Sequence, residues 1–211
     1  MNPNNQPTVV IDTIPQTLAD LERDTWKQLV SAPTRKKGAG FKTLTLATRS
    51  DEGADARTVV LRQADEVQKR IWFHTDRRAV KVIQLQAHPQ ATLLFWDDAR
   101  QIQLRLVVRT TIHISDDVAD EQWQQLWVGG RKTYLSEQQP GSEQPGPYPG
   151  FPERLGEDLP GQEESEAGRI NFAVVECQAL SMDYLHLSRA GQTRARFTYH
   201  GDETTMQWLA P

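Results

Sequence analysis

The stretch that decides the fold is WFHTDRRAVKVIQLQAHPQATLLFW, residues 72–96. Its apolar, aromatic beginning predicts the end of a β-strand, and a polar turn follows. Val82 and Leu85 then lie three residues apart, as on one face of a short helix, and Pro89 ends that helix because proline has no N–H to donate. A second strand is predicted over residues 91–96. The predicted order is therefore strand, turn, helix, strand.

The turn and the start of this helix carry four side chains that can hold an anion: Thr75, Arg77, Arg78 and Lys81. The free backbone N–H groups and the dipole at a helix start favour an anion at the same place. The segment is therefore a candidate binding site for a phosphate group. Charge alone favours the alternative, a solvated basic turn, since clusters of surface charge are common.

Composition limits the classes of protein to consider. With 211 residues, of which 37% are hydrophobic and 25% charged, we expect one domain over residues 1–211 that begins with a loose arm at 1–15. A net charge of -4 argues against a nucleic-acid binder, and the single Cys177 cannot form an internal disulfide. We find no membrane-spanning run and no secretory pattern, so the expected compartment is the cytoplasm.

Towards the N-terminus, a helix and two strands are predicted. The helix is capped by Thr17 and ends near Val30, and the strands cover residues 41–48 and 56–62. In the second strand Arg57 shares a face with apolar side chains. If that face points inward, the arginine needs an anionic partner, because an unpaired buried charge is costly. The alternative is that Arg57 lies at the exposed end of its strand.

Towards the C-terminus, the pattern continues with a long strand at residues 101–114, rich in β-branched residues at period two. A helix capped by Asp116 or Asp117 is then expected to run to about Val128, where the pair Gly129–Gly130 breaks it.

The last third combines an irregular segment with further strands. A second helical piece is predicted at 132–138, and residues 139–168, rich in Pro, Gly and Glu, form a loop or partly disordered insert. This insert is either a lid over a site or a variable excursion. Further strands are predicted at 170–177, 181–187, 194–199 and 206–209. Strands in quick succession, joined by tight turns, favour an antiparallel barrel over a doubly wound sheet.

Sequence motifs for catalysis by the chain's own groups are missing. There is no Gly-rich dinucleotide or P-loop fingerprint, no nucleophile elbow and no pair of histidines at metal spacing. What the sequence offers is cations and amides at strand ends. This set suits a protein that holds a phosphate-bearing cofactor, which itself carries the chemistry.

Three segments carry a resemblance to a known family: FHTDRRAVKVIQLQAHPQATLLFW at 73–96, RTVVLR at 57–62, and the ending with RFTY at 196–199 and WLAP at 208–211. The chain resembles the pyridoxamine 5′-phosphate oxidase family, and is most similar to its Alr4036-type branch. The resemblance covers residues 15–211. It implies a mainly β fold with flanking helices, a six-stranded antiparallel split β-barrel that binds FMN as a homodimer.

The resemblance also implies a set of cofactor-binding residues. They are Arg57, Thr58, Val59, Val60, Leu61, Arg62, His74, Thr75, Lys81, Gln103 and Arg196. Lys81 matches the family's phosphate-binding lysine, and Gln103 matches a glutamine that reaches the flavin from a neighbouring strand, usually of the second subunit. Arg196 matches a late arginine near the flavin ring.

Several positions depart from the family pattern. Val80 stands where the family has a second phosphate-binding cation, and Arg77 and Arg78 are hypothesised to compensate for it. Leu185 replaces a flavin-contacting tryptophan. Gln192 and Arg194 replace the arginine and histidine that clamp the vitamin B6 substrate, which places oxidation of pyridoxine phosphate in doubt. The substrate residues that we still expect are Arg62, Arg131 and Arg194.

Three functions therefore remain open. The first is an FMN-dependent oxidoreductase that acts as a homodimer on an unknown small molecule. The second is a barrel without turnover that binds flavin, or haem with His74 or His186 as an iron ligand. The third is genuine pyridoxamine 5′-phosphate oxidase activity despite the altered clamp. Neither a metal site nor a nucleic-acid or membrane partner is predicted.

Overall fold

A computed structural model describes residues 17–34, 40–201 and 203–211, so the predicted arm at 1–15 lies outside the described residues. The described chain is mainly antiparallel β-structure. Its strands are β1 Thr43–Ser50, β2 Gly53–Asp65, β3 Arg70–Asp76, β4 Gln90–Asp97, β5 Ile102–His113, β6 Phe172–His186, β7 Thr193–His200 and β8 Glu203–Leu209. Its α-helices are α1 Leu18–Ser31, α2 Val80–Ala87, α3 Asp117–Gln125, α4 Val128–Arg131 and α5 Gln162–Glu166.

The strands form a sheet in the order β3-β2-β1-β4-β5-β6-β7-β8, and a further pairing of β3 with β6 closes it. Six strands therefore make a closed antiparallel barrel, and the predicted fold is confirmed. The first half of β6, from Phe172 to Gln178, pairs with β3. Its second half pairs with β7, and β7 in turn pairs with β8. This division of β6 leaves the last two strands as an extension beside the barrel.

The barrel interior is filled by the apolar residues that alternate along each strand. Leu46, Phe73, Leu93 and Leu104 are fully buried. Burying a side chain of this size contributes roughly 1.5–3 kcal/mol, so the alternation in sequence fixes which face of each strand points inward. On β2 the inward positions are 57, 59 and 61, and the outward positions are 58, 60 and 62.

A second apolar cluster lies outside the barrel, on β3 and β6. Trp123 of α3 packs on Phe172 with ring centroids 5.1 Å apart, and Tyr134 packs edge-on against both rings. Trp72 belongs to the same cluster. These contacts fix the chain that follows α3 against the outer face of the barrel, next to the end of β3.

Two predicted boundaries are wrong. Gly129 and Gly130 do not break a helix: α3 ends at Gln125, and both glycines lie inside α4. A Cβ on Gly129 would lie 2.2 Å from the Trp127 ring, so the missing side chain makes room for that ring.

The strands predicted at 170–177 and 181–187 are one strand, β6, with a register shift against β5 near Ala179. A β-bulge of this kind leaves one residue unpaired, and the strand goes on pairing with its neighbour on both sides of it.

The segment between α4 and β6 is irregular but not without structure. The helical piece predicted at 132–138 is a 3₁₀ helix, Lys132–Leu135. The predicted insert contains a second 3₁₀ helix, Glu153–Leu155, and the short α5, and its end overlaps a third, Ala167–Asn171. Among the described residues, no helix has the length and hydrophobicity to span a bilayer.

Candidate functional site

A cavity of about 590 Å³ lies between the barrel wall and residues 133–150, a segment that we call the strap. This volume is within the range of small-molecule and cofactor sites. The barrel wall of the cavity is formed by β2, the end of β3 and the start of α2. It brings together seven of the predicted cofactor residues: Thr58, Val59, Val60, Arg62, His74, Thr75 and Lys81.

Two other depressions of similar size, about 580 and 650 Å³, lie beside the β1–β2 hairpin. Both are lined by the charged residues Arg49 and Asp51. Neither contains a residue of the predicted cofactor set. The cavity under the strap is therefore the candidate site, because it combines cations with the strand and helix ends that sequence analysis singled out.

Lys81 provides the cationic end of the cavity. Its Nζ donates to Thr75 Oγ1 at 3.3 Å, and it forms no ion pair with any described carboxylate. Burial lowers the pKa of Lys81, the neighbouring Arg57 lowers it further, and Asp76 and Asp55 act in the opposite direction. A half-buried ammonium group without a counterion is costly, and a bound phosphate would remove that cost. The residues present therefore fit the phosphate of FMN.

Arg57 is not one of the residues that line the cavity. It projects from the inward face of β2, pairs with Asp55, and donates to Thr48 Oγ1 and to Gln84 Oε1, the latter at 3.1 Å. Gln84 in turn donates to Asp55 at 3.0 Å, and this hydrogen bond is the main cause of the lowered pKa of Asp55. The anionic partner expected for an inward Arg57 is therefore Asp55, and the group ties β2 to α2.

His74 is held neutral in the barrel wall. Its Nε2 lies 2.9 Å from Gln122 Oε1, which can only accept, so we assign the ring proton to Nε2. Burial lowers the pKa of His74 to about 4, and the charge of Arg62 contributes in the same direction. Nδ1 is buried and has no described partner. Since Nε2 is engaged, His74 does not offer it as a free ligand to iron.

Arg78 binds the strap instead of the cavity. Its guanidinium forms two contacts with Asp76, at 2.7 and 3.0 Å, and donates to the carbonyl oxygens of Ser136 at 2.9 Å and Glu137 at 3.4 Å. The Gln139 side chain donates back to the Arg78 carbonyl at 3.0 Å. The paired carboxylate raises the pKa of Arg78. Each of these contacts joins the turn after β3 to the strap.

Arg77 points elsewhere, into a separate depression that also contains Asp120 and Arg169. The structure therefore places neither Arg77 nor Arg78 in the lining of the cavity beside Lys81.

Arg131, an expected substrate residue, is buried away from the cavity. Its guanidinium donates to the carbonyl oxygens of Trp123 and Leu126, each at 2.9 Å, pairs with Glu166, and lies 4.8 Å from the centre of the Trp123 ring. These contacts hold α4 and α5 against α3. Arg131 thus supports the segment that leads into the strap.

Gln103, Arg194 and Arg196 lie on the outer face of the sheet, outside the cavity lining. Arg194 and Arg196 both reach the carboxylate of Asp183, at 3.0 and 3.3 Å, and Arg105 approaches it from β5 at 3.3 Å. Desolvation raises the pKa of Asp183, but the hydrogen bonds from the arginines outweigh it and the net pKa is lowered. Leu61, the last of the predicted set, is buried in the barrel core.

The strap contributes residues that sequence analysis did not identify. Its lining side chains are uncharged, and those that carry polar groups are Thr133, Tyr134, Ser136, Gln138, Gln139, Ser142, Gln144 and Tyr148. The only sequence signal was the Pro- and Gly-rich composition of the segment, which marked a possible lid but named no residue. Burial in the cavity wall raises the pKa of Tyr134, whose ring belongs to the outer aromatic cluster.

The barrel wall of the cavity lies within a region that is similar to a known protein family. Residues 23–114 match the model of the family described as pyridoxamine 5′-phosphate oxidase, FMN-binding domain. The matched region contains β1 to β5, α2 and therefore the whole barrel wall of the cavity. The resemblance seen in the sequence is confirmed, whereas the Alr4036-type branch stays a prediction. Comparison with curated protein sequences gave no significant match.

Solved structures with the same fold include a pyridoxamine 5′-phosphate oxidase-related, FMN-binding protein from Nostoc punctiforme. It is 22% identical, with a TM-score of 0.63 over 92% of this chain and 95% of that one. PhzG from Burkholderia lata, solved with tetrahydrophenazine-1-carboxylic acid, is 16% identical, with a TM-score of 0.62 over 89% and 90%. At these identities the likeness extends to the fold.

Proposed function

We propose that this protein binds FMN in the cavity under the strap and acts as an FMN-dependent oxidoreductase on a small organic molecule. The observation that carries the proposal is the half-buried, unpaired Lys81 beside Thr75, at one end of a cavity that also contains Arg62. The family match over the barrel wall supports the same cofactor.

Each part of the barrel wall has a role in this proposal. Lys81 and Thr75 hold the phosphate, and Arg57 adds positive charge from behind. Backbone groups of residues 58–62 would bond to the edge of the ring. When bound, FMN supplies hydride and electron transfer. Arg62 has no ion-pair partner among the described residues, so its charge is available to stabilise negative charge that develops on the ring.

A homodimer is part of the proposal, because the remaining predicted residues are too far from the cavity within one chain. Val60 on β2 and Gln103 on β5 are separated by β1 and β4. Three strand spacings correspond to roughly 14 Å. A second copy related by a two-fold axis would bring the partner's Gln103 and the partner's Arg196 to this cavity, as the family resemblance implies.

The outer face of the sheet between the cavity and Gln103 has the composition of a subunit interface. Val60, Leu94, Trp96 and Val107 are 36–41% exposed and point outward, and Leu94 lies opposite Arg105, one of the arginines around Asp183. Apolar side chains with arginines are typical of subunit interfaces. We expect Trp96→Glu to convert a dimer into a monomer, measured by light scattering, and to weaken FMN binding. The control is Val67→Glu, which changes a residue that is 84% exposed on the β2–β3 turn.

The cofactor proposal is tested by titrating purified protein with FMN and with riboflavin, which differs by lacking the phosphate. We expect a visible flavin band, and FMN binding about 100-fold tighter than riboflavin, as two charge-assisted hydrogen bonds would give. Equal affinities would contradict the phosphate site at Lys81. A protein that takes up no flavin but gives a Soret band with haem would favour the haem alternative instead.

A further inference from the structure

Three arginines surround one carboxylate on the outer face of the sheet. This guanidinium cluster consists of Arg105 on β5, Asp183 on β6, and Arg194 and Arg196 on β7. Arg194 holds Asp183 with two nitrogens, at 3.0 and 3.1 Å, whereas Arg105 and Arg196 each reach it with one nitrogen at 3.3 Å. Among the described residues the three arginines form no other ion pair. Three guanidinium groups against one carboxylate leave the cluster with two positive charges in excess.

Most of the hydrogen-bond donors of Arg105 and Arg196 are free. A guanidinium group has five N–H donors in a planar fork, which matches the oxygens of a carboxylate or a phosphate. Both side chains are 46% exposed, and each gives a single nitrogen to Asp183. Asp183 lies opposite Arg105 in one strand pair and opposite Arg196 in the other, so the two guanidinium groups flank it on the same face.

The cluster lies next to the residues that the proposed dimer brings to the cavity. Arg105 is two residues from Gln103 on the same face of β5, about 7 Å along the strand. Arg196 lies two strands from Arg105, which corresponds to about 10 Å. A two-fold contact that brings the partner's Gln103 and the partner's Arg196 to the cavity therefore brings the partner's Arg105 there as well.

The described lining of the cavity offers this cluster no counterion. Arg62 and Lys81 are cations, and Asp76 is already paired with Arg78. The strap side contributes amides, hydroxyls, prolines and glycines, and no charged side chain. The phosphate of FMN carries about two negative charges, and the proposed function assigns it to Lys81. Covering the excess positive charge of the cluster without a further anion would be costly.

We infer that the substrate is a small organic anion, a carboxylate or a phosphate ester, and that Arg105 of the partner subunit binds its anionic group. The site rests on the proposed function and its homodimer, because one copy holds FMN and the other provides the arginine. Asp183 fixes Arg105 relative to Arg196 and leaves most of the donors of both for the ligand.

The test compares benzoate and phenyl phosphate with benzamide, a neutral molecule of nearly the same size as benzoate. Each is titrated into protein whose FMN content has been measured by absorbance. The readout is the perturbation of the visible flavin spectrum, which reports a ligand close to the ring. We expect one of the two anions to bind at least tenfold tighter than benzamide, and the tighter anion identifies the group as a carboxylate or a phosphate ester. If neither anion binds tighter than benzamide, the inference is overturned.

Substitution of Arg105 provides the second arm. Arg105→Gln removes the proposed contact, and we expect the preferred anion to bind at least tenfold more weakly while the FMN content stays the same. Arg105→Lys, which keeps the charge but loses the planar fork, replaces it if that variant fails to fold, and we expect a loss of about threefold. Arg109→Gln is the matched control, because Arg109 lies on the same face of β5 but outside the cluster.

The outcomes separate this inference from the proposed function. Anion binding that is unchanged in both Arg105 variants, at full FMN occupancy, would overturn the role of Arg105 alone. A protein that binds FMN as a monomer, measured by light scattering, would overturn the shared site and leave the cofactor proposal intact. A protein that takes up no FMN would overturn the proposed function as well.

Discussion

The barrel wall and the strap enclose the same cavity but are built differently. In the barrel wall, the position of each side chain follows from strand register: Thr58, Val60 and Arg62 point outward because Val59 and Leu61 are buried. In the strap, positions depend on individual hydrogen bonds to Arg78 and Asn171. The difference teaches that one wall of a site can be fixed by periodic sequence while the opposite wall depends on single long-range contacts.

The largest expected effect concerns the charge of the barrel wall. Lys81→Ala removes the unpaired cation, and we expect the Kd for FMN to rise about 100-fold while the Kd for riboflavin stays nearly constant. The control is Lys27→Ala, on the exposed face of α1. Fluorescence quenching of the flavin measures both constants. A matching loss for riboflavin would mean that Lys81 supports the fold of the wall and not the phosphate.

The next effect concerns the neutral histidine in the same wall. The pKa of His74 is about 6.5 in the unfolded chain and about 4 in the folded protein. As the pH falls through this range, the unfolded chain therefore takes up a proton at His74 that the folded protein does not. The free energy of unfolding therefore decreases across this window, by up to about 1.4 kcal/mol per pH unit.

We expect His74→Gln to reduce the loss of stability between pH 7 and pH 5 by about 2 kcal/mol, measured by urea unfolding at both values. His200→Gln, at an exposed position at the end of β7, is the matched control. If His74→Gln and the unmodified protein lose the same stability, the buried ring is not the cause of the pH dependence.

The smallest effect tests the strap. Arg78→Gln removes the contacts to Ser136 and Glu137, and we expect about tenfold weaker binding of both FMN and riboflavin, with faster proteolysis within residues 133–150. Arg77→Gln is the control, since Arg77 points into another depression. If Arg78→Gln weakens FMN alone and leaves the strap protected, Arg78 is a phosphate ligand, as first hypothesised from the sequence.

The sequence predicted the regular parts because their periods leave few choices. Period-two alternation located most strands to within a few residues, and Pro89 marked the end of α2. For Arg57 it left two positions open, and the structure shows the inward one, with Asp55 as the anionic partner that an inward cation requires. Where local rules failed, a distant contact decided: Trp127 packs over Gly129, and pairing with β5 keeps β6 continuous.

The contacts of the strap could not be predicted from the sequence for the same reason. No local pattern indicates that Ser136 meets Arg78, 58 residues earlier in the chain, or that Tyr148 faces a cavity. Arg131 shows the converse, since an arginine after two glycines looks available in sequence, whereas its guanidinium is fully used by α3 and α5.

The position of β6 in the chain has a consequence for biosynthesis. Before Phe172–His186 leaves the ribosome, the preceding strands can form only an open sheet whose two free edges are β3 and β5, because β6 pairs with both in the folded chain. The contact between Arg70 and Gln178 spans 108 residues, so closure has high contact order and is slow. Until then the exposed edges offer templates for aggregation, and a truncated product that ends before β6 is at risk of intermolecular pairing.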